Sequence, residues 1–242
     1  MVNISINEAA SIQACHNVLL LTASTFPYNK NDFSEKDIIN YPFGKENQVV
    51  SGIYQLEPVP KMLAKIGYQP DLIVVMASNA TQTSKSIIYN NVDMEISPID
   101  FFIKRLTEDT DYQFKDKSFC VISTQEKEKD RLVGAISDVV YIFRKIKESN
   151  ADCKFYLDTH GGMRQDQENL NAITNLLELE NIEFTDIFNV SGVGKPIVSI
   201  KNTRIYDFTA GIKEFVNFGR SKSIEGYLEG KSDAKESKLH KI

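Results

Sequence analysis

Four apolar runs of strand length divide most of the chain into repeating units. They are Val18–Thr22, Asp71–Met76, Ser118–Ile122 and Lys154–Asp158. In each run the apolar residues are consecutive rather than alternating with polar ones, which is typical of strands buried on both faces of a parallel sheet. We therefore predict four central parallel strands.

Other apolar segments predict strands outside this central group. Gln48–Tyr54 is expected to form a short strand or an extended segment. Glu183–Val190 and Ile197–Tyr206 are predicted to be strands joined by a hairpin connection. That connection contains glycines and Lys195, but Pro196 and β-branched residues follow it instead of a helix. It therefore does not have the pattern of a Walker phosphate loop, and Lys195 is only an additional basic candidate.

Between the strands, apolar residues recur every three or four positions, as in amphipathic helices. The predicted helices are Pro58–Ile66, Pro98–Thr107, a long helix after the charged run Gln125–Asp130, Gln165–Glu180, Asp207–Gly219 and Ser223–Leu228. Alternation of strands and helices predicts an α/β fold with a doubly wound, mostly parallel, Rossmann-like sheet. A hairpin and helices are expected at its C-terminal end.

Composition is that of an ordinary globular domain with a short appendage. The chain has 242 residues, of which 42% are hydrophobic and 25% charged, with a formal net charge of -5. Residues 1–228 are predicted to form one domain, because 229–242 have the polar, charge-mixed composition of a linker or tail. The net acidity argues against general DNA or RNA binding, so any anion site has to be local.

The sequence also carries no signal for a membrane, a metal or a resident cofactor. No apolar run approaches the length of a bilayer span, and the N-terminus lacks the features of a signal peptide, so we expect a cytoplasmic protein. The odd number of cysteines, Cys15, Cys120 and Cys153, predicts reduced core residues. The three histidines are far apart in the chain, so we expect no metal site.

The strongest candidate site is the turn that follows the fourth strand. Ligands of open α/β sheets collect outside the carboxyl ends of strands, and the first turn of the next helix offers free N–H groups to an anion. Glycines allow close approach of the backbone and positive φ, and an arginine at the helix start suits phosphate oxygens. We expect a phosphate-bearing ligand to contact Asp158, Thr159, His160, Gly161, Gly162, Met163 and Arg164. The alternative is an ordinary tight turn in which Asp158 caps the helix and Arg164 is solvated.

Hydroxyl and amide side chains also follow the first two central strands. If the strands are parallel, these segments lie at the same edge of the sheet as the glycine turn. The candidates for ribose, phosphate or adenine contacts are Thr22, Ser24, Thr25, Ser78, Asn79 and Thr81. The alternative is that these are solvated loop residues.

The segment from Asp158 to Arg164 resembles the signature of CRISPR-associated Rossmann-fold (CARF) sensors. Members of that family carry D-x-T-H-G-x-R or D-x-T-G-G-x-K/R at the end of the fourth strand. Asp158, Gly162 and Arg164 match both versions, Gly161 matches the second, and His160 stands where the family usually has Thr. The order of predicted elements is similar to that of the family up to about Leu228.

The resemblance implies a sensor of cyclic oligoadenylates in type III CRISPR antiviral signalling. It implies that cyclic tetra-adenylate, favoured over the hexa-adenylate, binds at a homodimer interface and switches an attached or associated effector. In the family, the loop after the first strand holds ribose and phosphate groups of the ligand. The Arg-x4-His signature of the usual ribonuclease effector does not occur in this chain.

Two other functions remain open. A stand-alone ring nuclease would let a ribose hydroxyl attack the neighbouring phosphate without a metal, with His160 as acid or base and Arg164 stabilising the developing charge. Ser24 and Thr25 would hold the ribose. The other possibility is a flavodoxin-like or Rossmann-like domain that binds a mononucleotide, although no Gly-x-Gly-x-x-Gly follows the first strand.

Overall fold

The structure is a computed structural model that describes residues 3–26, 31–46, 48–53, 56–112, 114–115, 118–124, 129–161 and 164–200, with the backbone alone for 129–132 and 164–168. The described chain up to Val198 belongs to one unit. The predicted helices Asp207–Gly219 and Ser223–Leu228, the tail from residue 229 and the predicted strand beyond Ile200 lie outside the described residues.

The described elements alternate as the apolar pattern predicts. The strands are β1 (Asn17–Thr22), β2 (Asp32–Phe33), β3 (Ile39–Phe43), β4 (Gln48–Gly52), β5 (Leu72–Ser78), β6 (Lys85–Tyr89), β7 (Val92–Ile96), β8 (Phe119–Thr124), β9 (Lys154–Asp158), β10 (Asp186–Val190) and β11 (Ile197–Ser199). The helices are α1 (Ile6–Ala10), α2 (Pro58–Lys65), α3 (Asn79–Gln82), α4 (Pro98–Thr107), α5 (Lys129–Ser149) and α6 (Arg164–Leu179), with one 3-10 turn at Glu35–Asp37.

The main sheet is doubly wound and mostly parallel, which confirms the predicted fold class. Its eight strands have the order β4-β3-β11-β10-β9-β1-β5-β8. The chain builds outward from β1 through β5 to β8, and α5 then returns it to the other side of β1, where β9 and β10 continue. All pairings among these five central strands are parallel. The order of strands therefore reverses between β1 and β9.

Helices cover both faces of this sheet. Successive strand residues point to opposite faces, so Phe155 and Tyr156 of β9 lie on different sides. Phe155 stacks on Phe143 of α5 with ring centroids 4.9 Å apart. On the other side, Tyr156 belongs to the core cluster that includes Phe102 of α4, whose ring meets Phe119 of β8 edge to face at 6.2 Å.

Residues at the helix starts account for where α2 and α4 begin. Proline at the first helical position suits both helices, because its φ is already helical and its missing N–H has no partner to lose there. In α4 the hydroxyl of Ser97 also accepts a hydrogen bond from the amide of Asp100 at 3.1 Å. Both helices thus start where the sequence predicts.

Several strands escaped prediction because they lack long apolar runs. A three-stranded sheet of order β2-β6-β7 packs beside the main one. Asn90 and Asn91 join β6 to β7 with φ of 50° and 64°, the left-handed pair of a tight two-residue hairpin turn. The second central strand also extends to Ser78, past the predicted end at Met76, because Ala77 and Ser78 continue the ladder with β8.

The hairpin predicted before Ile197 is consistent with the sheet order, because β11 lies next to β10. The amide of Lys195 donates to the carbonyl of Gly192 at 3.0 Å, and Gly194 has a φ of 68°. Lys195 is exposed in this turn.

All three cysteines are buried, which confirms their predicted positions in the core. Within the part of the chain that the structure describes, no helix combines the length and the apolarity that crossing a bilayer requires.

A buried cluster of charges joins α2 to α4. The Glu57 carboxylate, which is 0% exposed, accepts hydrogen bonds from Nζ of Lys61 at 2.8 Å and from Nε and Nη2 of Arg105 at 3.2 and 3.3 Å. Lys61 is itself 2% exposed and also meets Asp109 at 2.7 Å. Arg105 donates to the Tyr89 hydroxyl at 2.7 Å and thereby holds the β6–β7 hairpin. Two acidic and two basic groups thus compensate one another inside the fold.

Removing one member should be costly, because it leaves partners buried without their counter-charge. We expect Glu57→Ala to lower the free energy of unfolding by about 3–5 kcal/mol, measured by urea denaturation. Glu148→Ala is the matched control, since it breaks an exposed helical pair with Lys145, and its midpoint should hardly change. Equal effects of the two substitutions would contradict a structural role for the buried cluster.

Candidate functional site

The glycine turn lies at the reversal of strand order. Leu21 of β1 is the register partner of Asp158 of β9, and Thr22 is the partner of Met76 of β5. The carboxyl ends of β1, β5 and β9 therefore meet at one edge of the sheet. In open α/β folds this is where ligands bind, in the crevice at the topological switch point. The fold thus brings together the three segments that were predicted as candidates, namely those that follow β1, β5 and β9.

Hydrogen bonds hold the turn to the neighbouring strand and to itself. The amide and the hydroxyl of Thr159 both donate to the carbonyl of Phe188 in β10, at 2.9 and 3.0 Å. The amide of His160 donates to Oδ1 of Asp158 at 2.9 Å. Thr159 and Asp158 therefore determine the path of the backbone as it leaves β9, and His160 is half-buried in that turn.

Glycine is needed at position 161 because the backbone of the turn lies very close to the end of β1, and not because the residue adopts a left-handed conformation. A Cβ at this position would lie 2.1 Å from the carbonyl oxygen of Thr22 and 2.8 Å from Cδ2 of Leu56. Among the described glycines, positive φ occurs at Gly44, Gly67 and Gly194, so the expected use of positive φ does not apply to Gly161. The turn crosses directly over the end of β1, and no side chain fits between the two backbones.

Asp158 is a buried carboxyl group with incomplete hydrogen bonding. Its side chain is 0% exposed, and burial raises its pKa to about 7, opposed in part by the hydrogen bond from the His160 amide. Among the described residues, Oδ2 of Asp158 and Oγ1 of Thr22 are buried without a hydrogen-bond partner. Unsatisfied polar atoms are rare in folded proteins, so two of them at neighbouring strand ends mark this edge as unusual.

The segments after β1 and β5 expose some of the predicted side chains and bury others. Thr25 and Asn79 are exposed at this edge, whereas Ser24 is 9% and Ser78 is 8% exposed. Thr81 is 2% exposed, and its hydroxyl donates to the carbonyl of Ser78 at 2.8 Å, so this side chain stabilises the start of α3.

Two groups at this edge were not anticipated. Nε2 of Gln82 donates to the carbonyl of Ala77 at 2.9 Å and to the hydroxyl of Ser123 in β8 at 3.0 Å. Leu56 packs against the glycine turn. No sequence signal identifies the contacts of Gln82 with Ser123 and of Leu56 with Gly161, because each joins segments that are distant along the chain.

The remaining predicted residues follow the turn. Gly162 and Met163 lie outside the described residues. Arg164 is the first residue of α6, a helix of 16 residues, and its side chain is not among those described. The helix therefore begins where the sequence places it, with its N-terminal end at the same sheet edge.

The described residues contain no group of three or more His, Cys, Asp or Glu side chains placed to hold a metal ion.

Comparison with known proteins gives distant similarity to solved structures. No protein family model and no curated protein matches the chain. Among solved structures, Csm6 of Enterococcus italicus, bound to cyclic hexa-2'-fluoro-hexa-dAMP, is similar over 74% of this chain, with 12% sequence identity and a TM-score of 0.39. The similar region spans 34% of the Csm6 chain. Similarity at this level does not establish what this chain binds.

The contact at Gly161 predicts a large effect of a small substitution. Gly161→Ala should lower the free energy of unfolding by about 2 kcal/mol or more, since overpacking a tight contact commonly costs 1–3 kcal/mol and here the nearest atom is backbone. Gly134→Ala is the control, because a Cβ there meets no atom within 4 Å and α5 should gain about 0.5–1 kcal/mol. If both variants were as stable as the parent in urea denaturation, the close approach of the turn to β1 would be wrong.

Burial of Asp158 predicts a pH-dependent stability. The carboxyl pKa is about 7 when folded against 3.8 ordinarily, so the folded state binds more protons between these values. Stability should therefore fall as the pH rises, by about 2–3 kcal/mol from pH 5 to pH 8. Asp158→Asn should remove most of this slope, and the difference between the two proteins cancels other titrating groups. Parallel pH profiles for parent and variant would show that Asp158 titrates normally.

Proposed function

We propose that this domain binds a cyclic oligoadenylate at the carboxyl edge of its sheet, in the crevice between β1 and β9. The observation that carries the proposal is the position of the Asp158–Gly161 turn at the reversal of strand order. The same turn begins the segment that resembles the CARF signature. Position and sequence thus support the same class of ligand.

Phosphate groups suit the start of α6. The first amides of a helix have no partner within it, and the helix dipole favours an anion there. In the proposal these amides and the Arg164 guanidinium contact the ligand phosphates, with Gly161, Gly162 and Met163 providing the close backbone approach. The net charge of -5 requires this local attraction, because the protein as a whole repels an anion.

Nucleoside contacts suit the exposed side chains of the other two segments. Thr25 after β1 and Asn79 after β5 are exposed at the same edge. We assign Thr25, with Ser24, to the ribose and Asn79 to the adenine. Asp158 and Thr159 support the site by holding the turn in position through their hydrogen bonds.

A ring with two-fold symmetry fits a symmetric pair of sites. We propose a homodimer in which the turns of two protomers face one another across the axis and share one ring, with cyclic tetra-adenylate favoured over hexa-adenylate. Binding then changes the relative position of the protomers and switches an attached or associated effector. Light scattering that gave a monomer both with and without the ring would exclude the shared site.

Ring cleavage is the second candidate function, and half-buried His160 in the turn is the observation that favours it. General acid–base help contributes typically about 10²–10⁴-fold and needs a group within hydrogen-bond reach of the reacting oxygen. The other two histidines, His16 and His240, are distant in sequence, and we assign no second catalytic group. We therefore expect slow, metal-independent cleavage at most, with sensing as the primary function.

Arg164→Ala tests the proposed phosphate contact. The variant should bind cyclic tetra-adenylate more weakly by about 1.5–3 kcal/mol per protomer, the range for a hydrogen bond to a charged group, and should fold normally. Isothermal titration calorimetry measures this, with ATP and a linear dinucleotide as comparison ligands. Arg144→Ala is the matched control, since Arg144 is an exposed residue of α5.

Two outcomes of these titrations, and one outcome of a cleavage assay, would decide against the proposal or change it. Absence of heat with both the tetra-adenylate and hexa-adenylate rings would exclude the ligand class, and equal binding by Arg164→Ala would exclude the residue. Chromatography of the recovered ligand in EDTA, with His160→Ala alongside, distinguishes the two functions. Rapid cleavage abolished by that substitution would make the protein a ring nuclease.

A further inference from the structure

Two cysteines lie side by side at the edge of the sheet opposite the candidate site. Cys15 precedes β1 and Cys153 precedes β9, and these strands begin their pairing with Asn17 opposite Lys154. The amide of Lys154 donates to the carbonyl of His16 at 2.8 Å, so the segments that carry the two cysteines are joined before the strands start.

Both sulfur atoms lie close to this hydrogen bond between the two segments. Sγ of Cys15 lies 3.9 Å from the carbonyl oxygen of Asn17, and Sγ of Cys153 lies 3.8 Å from that of Lys154. Because Asn17 and Lys154 are register partners, both thiols occupy the same small region, where they also interact with each other through a hydrogen bond.

The surroundings hold this geometry in place. Oδ2 of Asp71 accepts hydrogen bonds from the amides of His16 and Asn17 at 2.8 and 3.0 Å. Nδ2 of Asn150 donates to the carbonyl of Cys15 at 2.9 Å. Cys15 is 0% exposed and Cys153 is 6% exposed. The third cysteine, Cys120, belongs to β8 and is separated from β1 by β5.

We infer that Cys15 and Cys153 form an oxidisable thiol pair that closes to a disulfide when a hydroperoxide reaches it. The Cys153 sulfur attacks one oxygen of hydrogen peroxide, the O–O bond breaks, and Cys153 becomes a sulfenic acid as one water is formed. The Cys15 sulfur then attacks the Cys153 sulfur, the S–O bond breaks, and a second water leaves. Each thiol loses one hydrogen, and two electrons pass to the peroxide.

The order of the two sulfurs follows from their surroundings. The pKa of the Cys153 thiol is lowered, first by its hydrogen bond with Cys15 and also by the nearby ammonium group of Lys147. The pKa of Cys15 is raised by the same hydrogen bond and by burial. Cys153 is 6% exposed whereas Cys15 is 0% exposed, so a peroxide reaches the Cys153 sulfur first. Cys153 is therefore the attacking residue, and Cys15 resolves its sulfenic acid.

Disulfide formation would link the amino ends of two central strands that are far apart along the chain. Closing so long a loop removes conformational freedom from the unfolded chain and thereby stabilises the fold. The oxidised protein should therefore melt at a higher temperature than the reduced protein. This inference is independent of the ligand proposed for the opposite edge.

The experiment uses the full chain, reduced and then freed of reductant. Samples are treated with hydrogen peroxide, quenched, unfolded in the presence of an alkylating reagent, and analysed by mass spectrometry. We expect the alkylated peptides of Cys15 and Cys153 to disappear together and a disulfide-linked pair of these peptides to appear, while Cys120 stays alkylated. Cys120→Ser should form the same link, and Cys153→Ser should form no intramolecular link and show no rise in melting temperature.

Two results would overturn the inference. One is a native protein that keeps all three thiols at a peroxide concentration that forms disulfides in the urea-unfolded chain. The other is consumption of Cys120 at the same rate as the pair, with a mixture of linkages. Both measurements use the parent protein, so neither depends on whether a variant folds.

Discussion

The packing of the Gly161 backbone against the carbonyl oxygen of Thr22 is the constraint on which the candidate site depends. Since β1 and β9 are neighbours, the chain that leaves β9 has to cross the end of β1, and the available space excludes a side chain. Leu56 closes the same contact from the start of α2. The next residue is Glu57, which joins α2 to α4 and the β6–β7 hairpin. The candidate site and the buried charge cluster are thus connected by the adjacent residues Leu56 and Glu57.

The buried charge cluster and the candidate site differ in whether their buried carboxyl groups have enough hydrogen-bond partners. Glu57 accepts hydrogen bonds from two basic side chains and from the amide of Ile53 at 3.2 Å, so its charge is compensated. Asp158 accepts a hydrogen bond from the His160 amide, and its pKa is near neutrality because burial raises it while, among the described residues, no positive charge compensates. Buried polar groups that only stabilise a fold normally have all their hydrogen-bond partners. Groups that lack a partner occur more often at functional sites. This contrast separates a stabilising cluster from a candidate site within one domain.

The central strands and most helices were predictable because their apolar periodicity is strong. β2, β3, β6 and β7 were not, since their stability comes from tertiary packing of short, mixed segments. In the same way, Glu57 and Lys61 have the spacing of a solvated helical ion pair, and only the fold shows that both are buried. That the candidate segments after β1, β5 and β9 meet at one edge was predictable from the carboxyl ends of parallel strands. The need for glycine at 161 was not, because it depends on Thr22 and Leu56, which are distant in sequence.

The position of β1 in the sheet also has a consequence for biosynthesis. β1 is made first among the central strands, yet its two neighbours are β5, which begins at Leu72, and β9, which begins at Lys154. Until the ribosome has released residues as far as Asp158, the apolar strand has one unpaired edge, and open apolar edges invite association with other chains. The second neighbour of β1 is therefore made more than 130 residues after β1 itself, and the strand that provides it leads directly into the glycine turn.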